Sequence, residues 1–268
     1  MDSSMLAIGL GAVIGLVLAL TGAGAGVLAI PLLVFGLHLP LQQAGPVGLL
    51  AVGLAAALGA VLGLRQRIVR YRAAALIGAA GMLVAPLGVF LAQRLPNRPL
   101  LAVFATVLLY TAWRLLRPPA ANELHPAVVP CQVNSTDERL TWTRPCARAL
   151  AGTGFIAGFL SGLLGVGGGF VIVPALTRYT DLEFRSVQAT SLAVIALVSI
   201  SGVSAAAWSG SLNWPVAVPF GSGAVLALLA GRQIAKGLNP HRLQQAFAWF
   251  TLLIALVMLA RASGLIFA

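Results

Sequence analysis

The sequence predicts an all-α polytopic membrane protein made of two homologous halves, and three observations lead there. No Asp, Glu, Lys or Arg occurs between Asp2 and Arg65, and similar uncharged runs cover 187–231 and 243–260. Apolar runs of that length are what bilayer-crossing helices require. The composition agrees: 59% of residues are hydrophobic, 9% are charged and the mean hydropathy is +0.97, where a soluble domain carries about 25% charged residues. Finally, the chain overlays itself when displaced by 143 positions. Gly15 then meets Gly158, Leu20 meets Leu163, Gly22 meets Gly165, Gly24 meets Gly167, Gly26 meets Gly169 and Pro31 meets Pro174. Leu95, Phe104 and Leu109 likewise meet Leu238, Phe247 and Leu252. Such duplication recurs among secondary transporters.

The halves are read as a first transmembrane repeat at 1–117, a polar linker at 118–147 and a second repeat at 148–268. The N-terminus, MDSSMLAIGL, lacks the basic start of a secretory signal, so its apolar stretch is read as part of the mature protein. That stretch, Met5–Leu37, would be about 50 Å long as one straight helix. A bilayer core is about 30 Å thick. One upright span is too short for it and two full spans are too long. A helical hairpin broken at its glycines fits. Ordinary spans then follow at about 44–64, 72–93 and 98–116, and in the second half at about 187–208, 212–231 and 243–261.

Arginines give the orientation. The net formal charge is +11, and every basic residue except Lys236 is arginine. They cluster in loops, as the positive-inside rule expects. Arg65–Arg72 reads as cytoplasmic, and so does the linker with its flanks Arg114, Arg117, Arg139, Arg144 and Arg148. In the second half the equivalent of the Arg65–Arg72 loop is the uncharged Ser209–Asn213, and the positive loops are Arg178–Arg185 and Arg232–Arg242. Equivalent loops carry opposite signatures, so the halves are expected to be inverted. Each then has three crossings plus a hairpin returning to its own side. The termini face outside with Arg94, Arg98 and Arg261. Cys131 and Cys146 lie in the linker and read as free thiols.

The glycines need a reason, because each weakens a helix interior by about 1 kcal/mol relative to alanine. In GLLGVGGGFVIVP (162–174) a break at Gly165, Gly167, Gly168 and Gly169 frees N–H groups at the start of the next half-helix. Free N–H groups and the positive end of the helix dipole make an anion site without a charged side chain. TGAGAGVLAIP (21–31) repeats the pattern with Thr21, Gly22, Gly24 and Gly26. Two inverted hairpins would bring both half-helix starts towards one midplane site. The competing role for such glycines is close helix packing.

The stretch GLLGVGGGFVIVPAL (162–176) resembles the G-x-G-G-G…P signature of the sulfite exporter TauE/SafE family of membrane permeases. VQATSL (187–192) resembles that family's polar entry to the next helix. The first half departs from it: Ala25 stands where the fuller signature has glycine, and Gly45 and Pro46 replace a Thr–Ser pair. The resemblance spans nearly the whole chain except the linker. It implies a multi-pass permease of a bacterial inner membrane, moving sulfite, thiosulfate or organosulfonates.

Further binding candidates are Thr190 and Ser191, which open a span and serve either as a helix cap or as substrate donors, and Gln43 and Gln188, each followed by alanine. Ser161 and Thr21 flank the breaks and either meet substrate or bond back to a helical carbonyl. Ser199, Ser201 and Ser204 read as packing residues. The six acids, Asp2, Glu123, Asp137, Glu138, Asp181 and Glu183, all fall in termini or loops, so no span carries a carboxylate to relay protons. No catalytic constellation, metal-ligand cluster, nucleotide-binding loop or cofactor motif is recognisable, and no basic tract interleaved with aromatics suggests nucleic acid. The partners expected are a small anion and the lipid bilayer. A thiosulfate- or sulfate-type importer of the same fold, a membrane thiol-redox protein and a non-transporting assembly factor are the competing functions.

Overall fold

The computed structural model describes residues 3–21, 25–116, 130–131, 142–234 and 240–262. These form ten helices: α1 (Ser3–Thr21), α2 (Ala25–Gly36), α3 (Leu41–Arg65), α4 (Tyr71–Arg94), α5 (Asn97–Leu116), α6 (Arg144–Leu164), α7 (Gly169–Tyr179), α8 (Phe184–Trp208), α9 (Trp214–Ile234) and α10 (Pro240–Ala262). Five segments are long and apolar enough to cross a bilayer: α3, α4, α6, α8 and Trp214–Gly231 of α9. The chain is an all-α, multi-pass membrane protein. Its two short helices, α2 and α7, follow the two glycine-rich stretches.

Glycine sets which helices touch. Gly81 on α4 and Gly158 on α6 approach so closely that a β-carbon at Gly158 would collide with the Gly81 backbone. Gly154 faces Ile77 and Gly162 faces Ala85, so α4 and α6 run parallel. On the other side of the molecule Gly11 faces Phe220, Gly15 faces Ala224 and Gly231 faces Ala19, so α1 and α9 are also parallel. Without a hydrophobic drive between helices in lipid, such backbone approach is a main source of association. Each hairpin's long arm thus packs on the other half of the chain. Gly15 and Gly158, two markers of the repeat, serve this packing.

The middle of the molecule is the α3–α8 pair. Leu49 lies by Gly202, Gly53 by Ser199, Gly59 by Leu192 and Gly63 by Ala189, so these equivalent helices run antiparallel. α4 and α8 run parallel: Ser201 Oγ donates to Met82 O (2.7 Å), and Gln93 Nε2 donates to Ser209 Oγ (2.7 Å) and Ser211 Oγ (2.9 Å) at the far rim. The spans begin about three residues earlier than expected at α3 and α8, because Pro40 and Glu183, rather than the first apolar residue, precede the helices.

The linker end departs from expectation. Thr143 caps α6, its Oγ1 accepting from Cys146 N–H (3.3 Å) and donating to Pro130 O (3.2 Å). α6 therefore starts inside the stretch assigned to the linker. Cys131 and Cys146 are not free thiols but a disulfide with Cα atoms 5.0 Å apart, and both are fully buried. The linker folds back at 130–131 to reach the first turn of α6. Cys131 N–H also donates to Tyr179 O (3.1 Å), in a bridge to Thr180. The start of α6 and the end of α7 are thereby tied on one face of the molecule, so this hairpin returns to its own side.

A loop of this length stabilises by about 3 kcal/mol when closed by a disulfide. Purified Cys146→Ser protein is therefore expected to lose up to that much unfolding stability by thermal or denaturant titration, and added reductant should lower the parent protein towards the same value.

Candidate anion site at the glycine break

α6 ends at Leu164, and the next residues turn in a way only glycine adopts without cost. Gly165, Gly167 and Gly168 have φ of 72°, 76° and 72°, the left-handed region open to glycine. Gly165 N–H still donates to Ser161 O (2.7 Å), closing α6. α7 restarts at Gly169, and both Val171 and Ile172 N–H donate to Gly168 O (3.0 and 3.1 Å). The N–H groups of Val166, Gly167, Gly168, Gly169 and Phe170 have no backbone acceptor among the described residues. Gly165, Val166, Gly167, Gly168 and Gly169 are all buried.

The turn sits at mid-depth. A β-carbon at Gly167 would come within 3.1 Å of Ile195 and 3.2 Å of Val52, residues midway along α8 and α3. Protein closes around it from both halves. A β-carbon at Gly165 would collide with the Gly45 backbone, and one at Gly26 would collide with the Val166 carbonyl. The missing side chain of Gly165 is thus what admits the turn to α3, whereas a β-carbon at Gly45 would make only ordinary contact, 3.8 Å from Gly165. The start of α2 and the α6–α7 turn are in contact. Gly22 and Gly24 lie outside the described residues, as does the Thr21 side chain.

The hydroxyls on the helices contrast in their partners. Those of Thr106, Thr111, Thr153, Thr177 and Thr180 bond back to a carbonyl of their own helix, the usual outcome. Ser161 Oγ and Ser191 Oγ, on fully buried residues, have no partner, and neither has Ser199 Oγ on a residue 3% exposed. Among the described residues, Arg70 Nε is the other buried side-chain atom without one. Such orphans are costly where no water reaches. Ser161 therefore does not bond back to its helix. Ser199 has a hydroxyl in the same condition despite its packing role in the sequence. Its spacing of eight from Ser191, two helical turns, is the signal that marks it.

The remaining candidates fall as follows. Thr190 and Ser191 do not cap α8, which begins at Phe184 with Glu183 as its cap residue. Thr190 Oγ1 accepts from Arg70 N–H (3.1 Å) and holds the arginine loop over α8. Gln188 is half-buried and already engaged. Gln43 is exposed in the first turn of α3, and the structure does not bring it to the break. A cavity of about 520 Å³ opens instead between α5, α6 and α7, lined by Tyr110, Ile156, Phe170, Pro174 and Arg178. No group of metal-ligating side chains occurs among the described residues.

A family model described as Sulfite exporter TauE/SafE matches residues 7–258. Two proteins from Xylella fastidiosa, strains Temecula1 and 9a5c, each named "Probable membrane transporter protein", are 25% identical over 265 residues, covering 97% of this chain and 97% of their own. "Probable membrane transporter protein YunE" from Bacillus subtilis is 31% identical over 103 residues, 38% of this chain and 37% of that protein. No solved structure matches.

Gly165→Ala is expected to lower the melting temperature by several degrees, since the left-handed backbone alone costs a side chain about 1–2 kcal/mol and the Gly45 backbone blocks its β-carbon. Gly152→Ala meets nothing within 4 Å and should leave stability unchanged or raise it. Equal melts for the two variants would remove the assigned role of Gly165.

Proposed function

Because the chain belongs to the sulfite exporter TauE/SafE family of membrane transporters, we propose that it is a secondary permease for a small sulfur oxyanion or organosulfonate, bound at the α6–α7 break. The observation that carries this reading is the run of N–H groups from Val166 to Phe170 without a backbone acceptor. They head a half-helix at mid-depth, where the helix dipole adds positive potential. An oxyanion presents acceptors to such donors at no cost in buried charge on the protein side. Ser161 Oγ and Ser191 Oγ supply further donors. Gly165, Gly167, Gly168 and Gly169 form the turn, and Gly26 brings α2 against it. Thr21, Gly22 and Gly24 are its first-half counterparts, and Thr190 holds Arg70 over the approach. No catalytic step and no cofactor is part of this reading.

Equivalent helices α3 and α8 run antiparallel, which supports an inverted duplication. Arg65, Arg67, Arg70, Arg72, Arg144, Arg148, Arg178 and Arg185 then share one face, against Arg94 and Arg98 on the other. We assign the arginine-rich face to the cytoplasm. Cys131 and Cys146 lie on that face: they are placed to form the disulfide once the protein is purified into oxidising buffer, while a reducing cytosol holds the same adjacent pair as thiols. No acid lies in a span, so no proton relay is built in. The membrane potential is worth about 2.3 kcal/mol per charge per 100 mV, and an inside-negative potential drives an anion outwards. Export needs no further coupling.

Thermal unfolding of purified protein against sulfite, thiosulfate, sulfate, taurine, sulfoacetate and chloride, at equal ionic strength, tests the site. One sulfur anion at a hundred times its Kd should stabilise by about 2.7 kcal/mol. Ser161→Ala should weaken that binding about tenfold or more while leaving the unliganded melt unchanged, because its hydroxyl has no internal partner to lose. A flat response to every anion overturns the reading.

Acid-trapping and alkylation of intact cells is expected to find Cys131 and Cys146 reduced. A disulfide recovered from such cells reverses the assigned orientation.

A further inference from the structure

Ser191, Ile195 and Ser199 fall at i, i+4 and i+8 on α8, so they share one stripe of the helix. Gly167 touches Ile195, at the centre of that stripe. Eight residues of helix span about 12 Å, so one orphaned hydroxyl lies about 6 Å to either side of the break along α8. Gly53 makes the space that the second occupies: a β-carbon there would lie 2.5 Å from Ser199 Cβ and 2.9 Å from its Oγ. At the other end, Arg70 N–H is bound to Thr190 Oγ1, beside Ser191 in sequence. The half-buried Arg70 side chain has its Nε enclosed and unpartnered.

We propose that this stripe is the track along which a small oxyanion crosses the glycine break, with Arg70 at its mouth and Ser199 as a second binding stop beyond the midplane. The inference rests on the permease reading above and extends it with two residues. Among the described residues, three of the four buried side-chain donors without partners lie on or over this stripe, and Ser161 lies one turn before the break on α6. Helix packing alone accounts for the small side chain at position 199 but not for its hydroxyl. A methyl group would pack on Gly53 equally well and leave nothing orphaned. An anion that leaves the α7 N-terminus meets the Ser199 hydroxyl as its next donor. Arg70 supplies the charge that brings the anion to the first.

Sulfite flux into proteoliposomes under a clamped potential, measured beside sulfite affinity from thermal unfolding, tests this. Ser199→Ala should cut flux roughly tenfold or more with affinity held within about twofold, since the first stop remains intact. Ser199→Thr keeps the hydroxyl and should recover most of the flux. Arg70→Gln should raise the sulfite concentration for half-maximal flux and make the rate less sensitive to salt. Flux of Ser199→Ala equal to that of the parent protein overturns the track and leaves the permease reading standing. A loss of unliganded stability in Ser199→Ala, unrelieved by threonine, also overturns it by returning the residue to packing. A parent protein that neither binds nor moves sulfite or any other anion of the panel overturns the permease reading itself.

Discussion

A backbone that leaves its helix inside a bilayer must be enclosed by protein, and the rest of this structure is arranged around that requirement. Between Leu164 and Phe170 the chain gives up helical hydrogen bonding in the middle of the membrane. Water cannot serve those groups and lipid cannot satisfy them. Val52 from α3, Ile195 from α8 and the start of α2 close around the turn. The antiparallel α3–α8 pair brings the midpoints of its two helices together at that depth. Glycine at 26 and 165 lets backbones come near enough to shut the enclosure.

Much of this was legible before any coordinates. A hydrophobic stretch too long for one span had to bend, and glycine was the residue that could bend it. The arginines fall in the connections between apolar helices, because charge must stay out of hydrocarbon whatever the detailed packing. Thr190 misled, because a polar pair at the start of an apolar run looks like a cap. α8 begins at Phe184 instead, since the interfacial residues before the apolar core are helical too. The cysteine pair also misled, because two thiols fifteen positions apart in a polar linker carry no local sign of contact. Their meeting depends on the linker folding back onto the end of α7, a tertiary event without a periodic signature.

The hydroxyls show the same divide at finer grain. Ser161, Ser191 and Ser201 look alike in sequence, each a serine in apolar surroundings. Ser201 reaches across to a carbonyl of α4, whereas Ser161 and Ser191 are left without partners. Whether a hydroxyl finds a carbonyl depends on the rotation of a neighbouring helix by a fraction of a turn. Single-sequence reasoning has no access to that angle. Gly165, by contrast, meets two demands at once: its left-handed φ makes the turn, and its missing β-carbon makes room for Gly45.

The exchange of partners between halves bears on how the protein is made. α1 packs along α9, so Gly11 waits for Phe220 to be synthesised before its main neighbour exists. At ordinary translation speed that interval is about 10–40 s. For that time the first hairpin, with its glycine-interrupted stretch, has no native companion along most of its length. A helix so short of contacts depends on the insertion machinery, or on shelter beside α3, until the last fifth of the chain emerges. Ribosomes that stall before α9 would therefore leave behind a fragment whose first helix lacks its main packing partner, a ready substrate for quality-control proteolysis.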